Sequence, residues 1–255
     1  MPRSVYYLPP TDRLAADGDV IEVLQDIVTK HHSWGFWKCH NWIRQHDHVW
    51  NHKRVYRIYC NMGLNQVRRS KRRIPTRERQ PIEVMPMAND TWALDFMSDA
   101  LYSGRRFRTL NILDEGVREA IAIVVDTSLP SSRVVRVLEQ LKATRGLPRI
   151  IRCDNGPEFI AQELSDWCNA NAIELRHIQP GKPNQNPFIE RFNRTYRQEI
   201  LDAYLFEDLE QVRELSNQWL ISYNEERPHD ALGGLPPSVY RQLTQAKNST
   251  FKLSA

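Results

Sequence analysis

Apolar residues recur at helical spacing in the first quarter of the chain. Val20, Val23, Leu24, Ile27 and Val28 form one stripe, which predicts a helix from about Asp19. The run from Trp34-Gly35-Phe36-Trp37 to Ile43 predicts a second. A third starts after Asn51, a favourable N-cap, with Val55, Ile58, Tyr59 and Met62 inward and Lys53, Arg54 and Arg57 outward. Gly63 is its predicted stop. Residues 1 to 17 hold Pro2, Pro9 and Pro10 and read as a loose lead.

After residue 88 the pattern changes. Thr91–Met97, Arg106–Leu113 and Ala120–Asp126 read as strands, separated by Gly104 and by an Asp114-Glu115-Gly116 turn. A helix over Ser132–Thr144 places Val134, Val137, Leu138 and Leu141 on one face. The apolar run Leu147–Cys153 reads as a buried strand. Pro157 suits the first turn of a helix running to Ala170, and Ile173–His177 is a further strand. The order βββαβαβ predicts a mixed sheet flanked by helices, hence an α/β core. Beyond it, Ile189, Phe192, Tyr196 and Ile200 share a helical face. Glu190, Asn193, Arg194 and Arg197 share the opposite one. Leu209–Tyr223 predicts another amphipathic helix. The Gly- and Pro-bearing stretch from Tyr223 to Pro237 reads as a packed turn, and residues after about Gln245 as a frayed tail.

Charge sharpens this picture by its distribution. The net charge is only +4. Residues 53 to 79, however, carry many cations and almost no acids, which points to a polyanionic partner. Arg68, Arg69, Lys71, Arg72 and Arg73 fall within six positions, and Pro75 opposes a helix there. This segment reads as a strap along a nucleic-acid backbone. Three short helices with a basic third one fit a helix-turn-helix reading. The scattered Cys39, Cys60, Cys153 and Cys168 fit free thiols in a reducing compartment. No apolar run approaches the ~18 residues that suggest a membrane span. The expectation is a soluble cytoplasmic protein associated with the nucleoid.

The candidate chemistry is carboxylate chemistry. Asp154 closes the strand ending at Cys153 and opens the block Asp154-Asn155-Gly156-Pro157-Glu158-Phe159. Glu190 follows after thirty-five intervening residues, on a helix, and Asp95 lies inside the first strand. Carboxylates gathered from two strands and a helix suit hard divalent cations, which take oxygen ligands and leave positions for phosphate oxygens. Gln179 to Asn184, containing Gly181, Lys182 and Pro183, predicts a mobile loop that lets the site assemble on its substrate.

The Asp-Asn-Gly-Pro-Glu-Phe block, the thirty-five-residue spacer, and Gly181-Lys182-Pro183 leading into Ile189-Glu190-Arg191-Phe192-Asn193-Arg194 resemble the DDE domain of bacterial insertion-sequence transposases. The nearest likeness is to the second reading frame of the IS-three family, relatives of retroviral integrases. The resemblance spans residues 20 to 240. It implies a ribonuclease-H-like, mixed five-stranded sheet with flanking helices, preceded by a small all-α, helix-turn-helix-like domain. The expected segments are a DNA-binding region at 1–65, a basic linker at 66–87, the catalytic core at 88–207 and a C-terminal helix with its packing tail at 208–255.

The resemblance further implies metal-dependent strand cleavage and strand transfer at element ends. Asp95 would bridge two Mg2+ or Mn2+ ions, with Asp154 and Glu190 binding one each. Expected DNA contacts are Lys53, Arg54, Arg57, the five cations at 68–73, Asn155, Lys182, Asn193, Arg194 and Arg197. Arg227 and His229, in a Tyr-Asn-x-x-Arg-Pro-His block that the family shares, are lesser candidates. Partners implied are double-stranded DNA, further copies of the chain on that DNA, and an upstream-frame helix-turn-helix and leucine-zipper protein, since no heptads precede the core here. Competing readings are a DNA-binding protein from an inactive or domesticated element, and a nuclease without strand transfer. His31, His32, His40, His46, His48 and His52 invite comparison with the integrase zinc module. Structural zinc sites usually show a close cysteine pair, and none exists here, so these histidines read as surface or phosphate-facing groups. Asp99, Asp114, Asp126, Glu158 and Asp166 read as caps or solvated charges.

Overall fold

The computed structural model describes residues 13–65, 87–179 and 186–252. The basic segment with Arg68, Arg69, Lys71, Arg72 and Arg73, and the loop with Lys182, lie outside the described residues. The chain divides into two compact units, Met1–Thr76 and Arg77–Ala255.

In the first unit, α1 (Arg13–Lys30), α2 (Phe36–Gln45) and α3 (His52–Asn61) close around Val20, Leu24, Ile27, Trp34, Cys39, Ile43, Val55, Ile58 and Tyr59. The Asn51 side chain accepts from Lys53 N and caps α3 as predicted. Gly63, at φ +68°, follows the end of that helix in the left-handed region that favours glycine. Two expectations need correction. Arg54 and Arg57 do not simply face outward. Both reach back to the buried carboxylate of Asp17 on α1, at 2.9 and 2.7 Å. The histidines largely pack on aromatic rings: His31 stacks on Trp34, His46 on Trp42 and His48 on Trp50, while His40 is buried. A tryptophan-rich unit covers imidazole faces because flat rings exclude water from each other.

The second unit is built on a five-stranded sheet, with β1 (Thr91–Ala100), β2 (Arg106–Asp114), β3 (Ala120–Asp126), β4 (Ile150–Cys153) and β5 (Glu174–His177). Their spatial order is β3-β2-β1-β4-β5. The first three strands pair antiparallel, and β4 and β5 join in parallel. This is the predicted mixed sheet. Side chains alternate across it. Trp92, Leu94, Leu110, Ile112, Ile151 and Cys153 face α4 (Ser131–Arg145) and α5 (Gln162–Ala170) in one core. Ala93 and Leu113 face the other way, toward α6 (Pro187–Tyr196) and α7 (Leu209–Glu225), through Ile189, Phe192 and Tyr223.

Several boundaries differ from expectation. α5 starts at Gln162 rather than Pro157, because residues 157–160 turn so that Phe159 enters the first core, fully buried. A π turn, Arg197–Leu201, continues α6. The expected tail after Gln245 is helical: α8 spans Pro237–Lys252 and packs on α7. Arg241 on α8 also pairs with Glu119 in the β2–β3 connection. Asp114 is fully buried, not solvated. It accepts from Gly116 N and Asn89 N and faces Arg145 at 3.3 Å. Among the described residues, no helix is long and apolar enough to cross a membrane.

Candidate active site

Asp95 sits in the middle of β1, on the sheet face that carries α6. Strand parity fixes this: Trp92 and Leu94 point into the α4–α5 core, so Ala93 and Asp95 point the other way. Asp154 follows the last residue of β4. The parallel register pairs Ala93 with Arg152, so continuing it by two residues sets Asp154 beside Asp95 on the same face. β1 and β4 are adjacent strands, and Asp154 lies at the carboxyl end of β4, where ligands of open α/β sheets are bound.

The turn after Asp154 is tightly built. Gly156 N donates to Asp154 Oδ1 at 3.0 Å. A Cβ at residue 156 would lie 3.1 Å from that oxygen and 3.4 Å from Glu158 Oε2, so a larger residue there would press on the Asp154 carboxylate. Glu158 is ion-paired with Arg108 of β2, and this holds its carboxyl below the usual range. The Arg108 guanidinium lies 4.3 Å above the Phe96 ring, and Phe96 stacks on Phe159 at 4.7 Å. Residues on either side of both aspartates are therefore locked into one apolar and ionic cluster. Asn155, expected on phosphate, donates instead to Ile178 O at 2.6 Å, although the residue is exposed. His177 Nδ1 lies 3.1 Å from Asp154 O. These bonds staple the Asp154 turn to the end of β5.

Glu190 lies in the first turn of α6, where a carboxylate suits the helix dipole. Pro187 occupies the start of that helix, where a residue without a backbone N–H is tolerated. One turn further on, Asn193 reverses its predicted role. It is buried, and its Nδ2 donates to Asp95 Oδ2 at 2.7 Å. Its Oδ1 accepts from Asn111 Nδ2 at 2.7 Å, and Asn111 is the cross-strand partner of Asp95. An amide pair thus bolts α6 to β1 and β2 beside the first carboxylate. Arg197 is also committed, to Asp99 at 3.2 Å and to Ser98 O at 3.0 Å. Arg194 is exposed. Arg227 is buried against Glu199 at 2.7 Å, and His229 packs on Tyr223, so both serve packing.

Asp95 carries the electrostatic signature of this arrangement. Burial, then the charges of Asp154 and Glu190, push its carboxyl up to about 6, against the bonds from Phe96 N and Asn193. Among the described residues, no three His, Cys, Asp or Glu side chains are gathered closely enough to cage a metal ion. Asp95 feels the charges of both Asp154 and Glu190. The donors are oxygens only, and a half-buried carboxylate under the charge of two further anions gains from a divalent cation. That chemistry fits Mg2+ or Mn2+. Buried Asn111 and Asn193 and half-buried Arg108 escaped the sequence reading as supports because pairing across strands cannot be seen along the chain.

Comparison with known proteins agrees with this geometry. Two Integrase core domain models match residues 86–183 and 171–237, and an HTH-like domain model matches residues 16–73. The chain is 38% identical over 229 residues to the insertion element IS476 uncharacterized 39.2 kDa protein of Xanthomonas euvesicatoria, covering 89% of this chain and 66% of that protein. It therefore spans just under two thirds of that relative's length. It is also 38% identical over 217 residues to the insertion element IS407 uncharacterized 31.7 kDa protein of Burkholderia multivorans, covering 85% of this chain and 78% of the relative. The fold matches the HTLV-2 integrase catalytic core domain, a structure in complex with magnesium. The TM-score is 0.50 at 18% identity, over 62% of this chain and 99% of that one.

Proposed function

Because the chain belongs to the integrase-core transposase family of bacterial insertion elements, with the IS-three-like order of an HTH-like domain before a ribonuclease-H-like core, we propose that it cuts one DNA strand at element ends and joins the freed 3′-hydroxyl to a target phosphodiester. Asp95, Asp154 and Glu190 are the carboxylates of this reaction and would hold two divalent cations. When bound, those cations supply activation of the attacking oxygen and charge neutralisation at the leaving one.

The remaining work falls to the chain's own side chains. Asn193 and Phe96 N fix the Asp95 carboxylate in one orientation. The Gly156 turn fixes Asp154. The amide pair with Asn111 sets the register of α6, and so the height of Glu190 above the sheet. Positioning of this kind supplies much of the catalysis in phosphoryl transfer. Exposed Lys53 in the helical unit and exposed Arg194 beside Glu190 offer cations to DNA phosphates. So would Lys182 and the basic residues at 68–73. The protein would act as an oligomer on double-stranded DNA, with an upstream-frame partner contributing further end recognition.

The observation that carries this reading is Asp95, half-buried and under the charge of two carboxylates far away in sequence. The test compares wild type with Asp95→Asn, Asp154→Asn and Glu190→Gln on element-end DNA. Nicking, joining and DNA binding are measured separately with magnesium. Loss of nicking and joining with binding retained is expected for each variant. Full activity of Glu190→Gln would remove that residue from the site. Wild-type binding without cleavage would favour a DNA-binding role, and cleavage without joining a nuclease.

A further inference from the structure

The first turn of α6 carries Glu190, yet its own end is weakly secured. Asn186 precedes it without making a side-chain cap, and among the described residues its buried Oδ1 has no hydrogen-bond partner. A helix start normally has its free N–H groups satisfied by such a cap. Something else has to hold this turn in place.

Arg118 lies against it. This residue sits in the connection between β2 and β3, at φ +57°. That conformation is uncommon for a residue other than glycine, asparagine or aspartate, and it persists only where the surroundings fix it. Asp114 caps the start of the connection through Gly116 N. The Arg118 guanidinium lies 3.5 Å from the centroid of the Phe188 ring. Among the described residues its buried Nη1 has no hydrogen-bond partner, while the charges of Glu115 and Asp114 act on the guanidinium. Phe188 is the second residue of α6, two before Glu190. The neighbouring Ile189 is fully buried in the second core, so pressure on Phe188 passes into a turn that cannot swing freely.

We propose that Arg118 is a positioning residue that clamps the first turn of α6 through the face of Phe188, and thereby sets where Glu190 stands relative to Asp95 and Asp154. It touches neither DNA nor the reacting atoms. A cation over an aromatic face in a desolvated site gives a directional hold that a plain apolar contact lacks. The inference rests on the role proposed above for Glu190.

The test uses the full chain with Arg118→Met, Arg118→Lys, Phe188→Leu and Glu190→Gln. Manganese binding is followed by calorimetry without DNA, and cleavage by kcat and KM for element-end DNA, with thermal unfolding alongside. Arg118→Met is expected to weaken manganese binding roughly tenfold, as changes to supports behind metal ligands commonly do. It should lower kcat and leave KM for DNA unchanged. Arg118→Lys, which restores the cation, is expected to recover most of both. Phe188→Leu should reproduce the Met phenotype and decides the matter if Arg118→Met does not fold. Wild-type manganese binding and kcat in Arg118→Met, or in Phe188→Leu, would overturn the inference while Glu190→Gln remained inactive. An active Glu190→Gln that binds manganese normally would instead overturn the role of Glu190 itself, and the clamp with it.

Discussion

Asn193 donates to Asp95 across 98 positions of sequence, at 2.7 Å, and this bond joins the helix of one carboxylate to the strand of another. It also stabilises the charged form of Asp95, against the burial that disfavours it.

Replacing Asn193 by alanine therefore has two expected effects. Removing the amide leaves Asp95 and Asn111 without their partner, at a cost of about 1–3 kcal/mol in urea unfolding. It also raises the Asp95 carboxyl further. The acid limb of the pH profile for DNA cleavage should move to higher pH. An unmoved limb with reduced stability would leave Asn193 a purely structural bolt.

Asp95 should also make the metal-free protein less stable as pH rises. Its carboxyl is raised from 3.8 to about 6 in the folded chain. Between those values the folded state holds a proton that the unfolded state has lost, so this group's contribution falls across that window. Above it the loss is on the order of 3 kcal/mol. Denaturation with chelator present should show Asp95→Asn more stable than wild type at pH 7.5, with the difference shrinking toward pH 4. Added magnesium should raise the unfolding midpoint of wild type more than that of Asp95→Asn, since a ligand stabilises only the state that binds it.

In the helical unit, Asp17→Asn is expected to take the shared carboxylate away from Arg54 and Arg57. Their hydrogen bonds hold the Asp17 carboxyl below its usual range. The stability it supplies is present at neutral pH and is lost as acid protonates it. The variant should unfold more easily at neutral pH. It should also bind DNA with a steeper salt dependence, because two more cations are available to phosphates. An unchanged salt slope would place both arginines away from DNA.

Arg227 offers a contrast. It is buried against Glu199, whose carboxylate also accepts from Trp219 Nε1 at 2.8 Å. Arg227→Met leaves that carboxylate without its cation and should cost about 3–5 kcal/mol. Below the unfolding midpoint its DNA affinity should match wild type. A selective loss of affinity without destabilisation would make Arg227 a DNA contact after all.

The sequence by itself determined most of the elements and singled out the three candidate carboxylates. The pattern of Thr91–Met97 and the short apolar run Ala120–Asp126, bounded by turns, mark strands, because a pleated backbone sends neighbouring side chains to opposite faces. The stripe of Ile189, Phe192 and Tyr196 marks α6 for the same kind of local reason. The block around Asp154 and its spacing from Glu190 carried the family likeness. Only the tertiary structure decided which polar groups are spent on the fold. Asn193 shares a helix face with Glu190 in sequence, yet it is buried on Asp95; Arg54, Arg57 and Arg197 read as free cations, yet each is held by an aspartate. The physical reason is that a hydrogen bond or ion pair between distant positions leaves no local periodicity. The cost of burying a polar group is known only once its partner has been brought beside it.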